Sequence, residues 1–103
     1  MAKDPTIFDQ ARYNLEQKIK ERQQQIDILE RANEELQAEI DATNKAMDRM
    51  PWNDRVDANN DIHDAETKIR ANNEDIKKYT DEIRAFEQEI GEHMKLKDGS
   101  NDR

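Results

Sequence analysis

Cysteine is absent from the 103 residues, which excludes disulfides, zinc–thiolate sites and thiol catalysis. Glycine and proline occur twice each, and tryptophan, tyrosine and phenylalanine together make up 5% of the chain. That leaves little material for hairpin turns, glycine-rich phosphate loops or sheets. Met1-Ala2-Lys3-Asp4-Pro5 shows no apolar signal-peptide core, and no hydrophobic run approaches the length of a membrane span. We therefore expect a soluble, cytoplasmic protein that does not meet a membrane. Hydrophobic residues are 33% of the chain against 41% charged, too lean for a thick core but enough for long helices that bury one narrow stripe. The net charge of −8 disfavours a protein that tracks phosphates, so direct nucleic-acid binding is not expected.

What is present is a repeat. In the first half Ile19, Ile26, Asn33, Ile40 and Met47 recur every seven residues, and Phe8, Leu15, Arg22, Leu29, Leu36, Thr43 and Met50 form a second series. In the second half Ile62, Ile69, Ile76, Ile83 and Ile90 are matched by Ala58, Ala65, Asn72, Tyr79, Phe86 and His93. This 3-4 spacing, carried over about six heptads in each half, is the signature of a coiled coil. The expected fold is all-α, an antiparallel two-helix coiled-coil hairpin in one domain spanning residues 1–103.

Helix one is expected over about residues 5–50, capped by Asp4 with Pro5 at the first helical position, or by Thr6 with Asp9. Pro51 should end it, since proline disfavours helical geometry in the residue before it and donates no hydrogen bond. The turn falls near 51–54 in this reading. Helix two should follow over about 54–97, capped by Asn53 or Asp54. Lys95 and Lys97 suit its last turn, Gly99 its left-handed cap, and 98–103 a flexible tail. Gly91 is a weak point inside it. Each arm would be about 65 Å long at 1.5 Å per residue.

The register can be read as well. If facing positions sum to 105, Asn33 meets Asn72, the only asparagines in the two seams. The same register pairs Ile19 with Phe86, Ile26 with Tyr79, Leu36 with Ile69 and Ile40 with Ala65. It also sets Lys18 against Glu89 and Glu39 against Lys68. Buried polar pairs commonly fix register, so Asn33 and Asn72 are the expected register-setting residues. A parallel homodimer would instead oppose Asp61 with Glu66 and Glu82 with Glu87. The hairpin carries one flaw, Glu16 facing Glu87. Arg22, opposite Ile83, should carry its charged head outward over an apolar stem.

Candidate functional residues gather at the apex. Asp54, Asp57, Asp61 and Asp64 are spaced 3-4-3 and share a helix face. The simplest reading is a solvated helix start that suits the macrodipole; the functional one is an electronegative patch for a partner with a basic surface. Asp54-x-x-Asp57 resembles the acidic tip that Gre-type transcription factors project into RNA polymerase, although their globular domain has no counterpart here. Trp52, the sole tryptophan, either plugs the end of the seam against Met47, Met50 or Val56, or serves as a binding anchor. Of the two, the plug needs fewer assumptions.

His63 and His93 lack ligand-spaced companions, so no metal site, cofactor or catalytic residue is assigned. A two-helix rod also offers no cleft to desolvate a carboxylate pair, so enzymatic activity is not expected. Ile7, Ala11, Ile28, Ala32, Ala42 and Ala46 form broken apolar patches beside the seam; the simplest reading is small helix formers on a wet face, the alternative a weak homodimer in which two hairpins make a four-helix bundle. The expected function is a non-enzymatic protein–protein interaction module: adaptor, inhibitor or assembly spacer. The alternatives are a transcription modulator with an acidic tip, or an acidic decoy of a DNA-binding groove.

Overall fold

The structure, a computed structural model, describes residues 7–101, with side chains over 9–95. The expected caps at Asp4, Pro5 and Thr6 lie outside the described residues. Two helices account for the described chain: α1 over Ile7–Met47 and α2 over Trp52–Asn101. They form an antiparallel two-helix coiled-coil hairpin. Among the described residues there is no strand, and no helix is long and apolar enough to cross a membrane.

The heptads account for the burial pattern. Along α1, the side chains shielded from solvent include Leu15, Ile19, Arg22, Ile26, Leu29, Asn33, Leu36, Ile40, Thr43 and Met47. Along α2 they include Ala58, Ile62, Ala65, Ile69, Asn72, Ile76, Tyr79, Ile83, Phe86, Ile90 and His93. These are the a and d positions of each helix in unbroken succession. Arg12 and Arg55, both at a positions, are the exceptions; they stay exposed.

The described residues divide into two compact units. One comprises Ile26–Lys77 and contains the turn; the other comprises the residues up to Gln25 and from Lys78 onward. In the first unit, Ile26, Ile40, Ala58 and Ala65 are 5–7% exposed. Fully burying an isoleucine contributes about 1.5–3 kcal/mol, so Ile26 and Ile40 are the strongest single apolar contributors there. Among the described residues of the second unit only Leu15 reaches that depth. Its larger seam residues Ile19, Tyr79, Ile83, Phe86 and Ile90 remain part-exposed.

The turn occupies Asp48–Pro51, three residues earlier than expected, because of the hydrogen bond that Pro51 cannot donate. In a continuing helix the Met47 carbonyl would accept from residue 51. Here it accepts from the Met50 N–H at 3.1 Å, and the Ala46 carbonyl accepts from Arg49 at 3.1 Å. These i→i−3 bonds close the last turn of α1. The Pro51 carbonyl then accepts from the Arg55 N–H at 3.0 Å, so Pro51 takes the capping place and α2 begins at Trp52, not at Asn53 or Asp54. The Arg55 Nε donates to the Met50 carbonyl at 3.0 Å, giving that carbonyl of the turn a partner.

At its far end, α2 continues beyond Lys97 and through Gly99 to Asn101, with no glycine at positive φ. Gly99 is therefore a helical residue and not a left-handed cap, and the last turn of α2 holds no basic residue. A Cβ on Gly91 would meet nothing within 4 Å, so that glycine serves no close packing.

Candidate functional site: the apex and its two flanks

The register lock lies in the turn-containing unit. The Asn72 Nδ2 donates to Asn33 Oδ1 at 3.0 Å, which fixes the expected sum of 105. The Asn33 Nδ2 in turn donates to Asn73 Oδ1 at 2.9 Å. Both ends of one carboxamide are thus used, and its orientation is determined by its partners. The contribution of Asn73 was not legible from heptad positions, because it sits beside the seam. The Asn72-Asn73 doublet was the available signal.

In the other unit, Arg22 does more than carry its charge outward. Its Nε donates to Glu82, and its guanidinium carbon stands 5.9 Å from the centroid of Phe86. The Lys18 Nζ lies 5.8 Å from the same ring. Two cations therefore cover one half-exposed aromatic ring, an arrangement favoured by the ring quadrupole. The Glu82 hydrogen bond raises the Arg22 pKa above its ordinary value, against the opposing effect of desolvation. A group already charged throughout the accessible range gains no pH switch from that. Arg12 pairs with Glu16 at 2.9 Å along α1, which compensates the carboxylate expected to face Glu87. Among the described residues no ion pair joins Lys18 to Glu89 or Glu39 to Lys68.

At the apex the structure separates what the sequence placed together. Trp52 is 75% exposed and Val56, one turn on, is 41% exposed. Trp52 does not plug the seam. A plug would need the indole above Met47 and Met50, whereas Trp52 occupies the first helical position at a flanking e site. The end of the seam is left to Met47 and Met50, both part-shielded.

At about 100° per residue, Asp54, Asp57, Asp61 and Asp64 lie about 140° around α2 from the Trp52–Val56 pair. The apex thus has two flanks, one aromatic and aliphatic, the other acidic. On the acidic flank, Asp61 and Asp64 join Glu39 and Lys68 around an open groove of about 430 Å³, floored by Leu36, Ala42, Thr43 and Ala65. Asp54 and Asp57 do not line it. Comparison with known protein families, characterised proteins and solved structures gives no match.

The remaining candidates stand apart. Among the described residues no group of three His, Asp or Glu side chains is placed to hold a metal ion. His63 is exposed, and its carbonyl accepts from the Thr67 hydroxyl at 2.9 Å. His93 sits part-shielded in the seam of the other unit. Of the patches beside the α1 seam, Ile28 is 59% exposed, Ala32 is part-shielded, and Ala42 and Ala46 are exposed. Ile7 lies outside the residues whose side chains are described.

Proposed function

We propose that this chain is a non-enzymatic protein–protein interaction module whose helical hairpin presents its apex to a protein partner. The observation that carries the reading is the exposure of Trp52, at 75%, beside Val56 at 41%. Large aromatic side chains are normally withdrawn from water unless they meet a partner, and tryptophan is enriched among interface anchors. The acidic surroundings favour a partner with a basic surface by raising its encounter rate. The groove beside the seam is open to solvent, which supports a binding role over a catalytic one.

The test is a pull-down from an extract of the source cells, using the wild-type chain and Trp52→Ala, beside circular-dichroism melts of both. An exposed side chain contributes little to folding, so Trp52→Ala should change stability by no more than about 0.5 kcal/mol. The partner should be lost. Unchanged capture by a normally folded Trp52→Ala chain would move the binding surface to the helix flanks. Loss of capture only when carboxylates along a whole face are neutralised, with steep salt dependence, would favour the acidic decoy.

A further inference from the structure

The two flanks of the apex allow the contact to be assigned to one of them. Trp52, Val56, Asn59 and His63 fall at i, i+4, i+7 and i+11, which places them on one stripe of α2 about 16 Å long. All four are exposed. None carries a carboxylate, an amine or a guanidinium, in a chain that is 41% charged. The stripe leads with the indole and continues with an isopropyl group, a carboxamide and an imidazole. Such spacing is how a helix is read by a groove: apolar anchors at one end, hydrogen-bonding groups behind them.

We infer that the Trp52–Val56–Asn59–His63 stripe is the docking surface, and that its occupant is a groove on another protein. This inference rests on the reading of the chain as an interaction module. The groove has an apolar floor beneath Trp52 and Val56, hydrogen-bonding groups opposite Asn59 and His63, and a basic rim that complements the net charge of −8. The acidic flank points elsewhere and acts on the approach of the partner without entering the contact. A second copy of the chain does not fit the stripe. It would bring one net charge of −8 against another.

The absence of cysteine supplies the experiment, because one introduced thiol is the sole labelling site. A benzophenone is attached to the full chain at Asn59→Cys, on the stripe, or at Asp61→Cys, on the acidic flank, and illuminated in an extract of the source cells. The Asn59→Cys probe should crosslink a protein, and adding Trp52→Ala should reduce that crosslink about 30-fold, as expected for an anchor. The Asp61→Cys probe should not crosslink the same protein.

Crosslinking from Asp61→Cys, alone or together with Asn59→Cys, overturns the one-sided contact while leaving an apex-binding module intact. A crosslink at Asn59→Cys that survives Trp52→Ala, or that joins two copies of this chain or a nucleic acid, overturns the inferred occupant. No crosslink from either position overturns both the stripe and the apex reading. Circular dichroism of each labelled variant establishes that the helices are retained.

Discussion

The turn-containing unit and the unit formed by the chain's two outer segments solve the same problem with different side chains. Both must keep a stripe two residues wide dry with only two helices to cover it. The turn-containing unit uses short side chains, with Ala58 and Ala65 buried beneath taller neighbours and Ile26 and Ile40 buried among them. The outer unit uses long ones. Tyr79 and Phe86 are too large for a narrow seam, so part of each ring stays exposed, and Lys18 and Arg22 shelter Phe86 with their cations. A methyl group can be hidden by its neighbours, whereas an aromatic ring between only two helices must be given a lid. One unit is held by depth of burial and the other by cover, and these respond differently to mutation and to salt.

The largest effect should come from removing depth. Ile40→Ala is expected to lower stability by about 2–4 kcal/mol, because it empties a site 7% exposed to solvent. Ile19→Ala, at a part-exposed site in the outer unit, should cost visibly less. Thermal melts of the two variants side by side measure this, and equal losses would erase the distinction between the units.

A gain of about 1–2 kcal/mol is expected from replacing Asn33 with Ile and Asn72 with Leu, since an apolar layer replaces a polar one. The same variant should lose uniqueness of register, seen as several distances between spin labels on the two helices. A less stable variant with a single distance would mean that the carboxamides contribute net stability and that register is set elsewhere. Gly91→Ala should stabilise the outer unit by up to about 1 kcal/mol, because the added methyl meets nothing and helix propensity rises. The smallest shift belongs to the lid: Glu82→Gln should lower the melting temperature slightly, and high salt should shrink the difference from wild type. A difference that persists in high salt would show that Glu82 acts through packing.

Much of this fold was legible because a heptad repeat converts directly into geometry. Every described a and d position from Leu15 to His93 except Arg55 is shielded as the repeat requires, and the Asn33–Asn72 pair sits at the expected register. What could not be read lay one position off the seam or at a chain reversal. Asn73 occupies an e position and Glu82 a g position, where the repeat makes no demand, yet each bonds across to the other helix. The turn came three residues early because the missing N–H of Pro51 acts on the Met47 carbonyl four residues back, and not only on its neighbour Met50. The apex residues were grouped by proximity in sequence, and helical rotation then divided Trp52 and Val56 from the aspartates. Exposure of Trp52 could not be deduced from composition, since a plug and an anchor call for the same residue.

The doubly bonded carboxamide of Asn33 also bears on how the chain closes. Contacts beside the turn join residues close in sequence, so they form at small entropic cost, and closure should proceed outward from Asp48–Pro51. A hairpin that starts one heptad out of step meets little resistance at first, because the layers nearest the turn are methyl groups and flexible methionines. It then reaches Asn33 with Ala65 or Tyr79 opposite, and neither end of the amide finds its partner. Closure stalls there, while little has been committed and reopening is still fast. The asparagine thus acts as a proofreading step during folding, placed 39 residues from its mate, after the error has become detectable and before the aromatic layers could trap it.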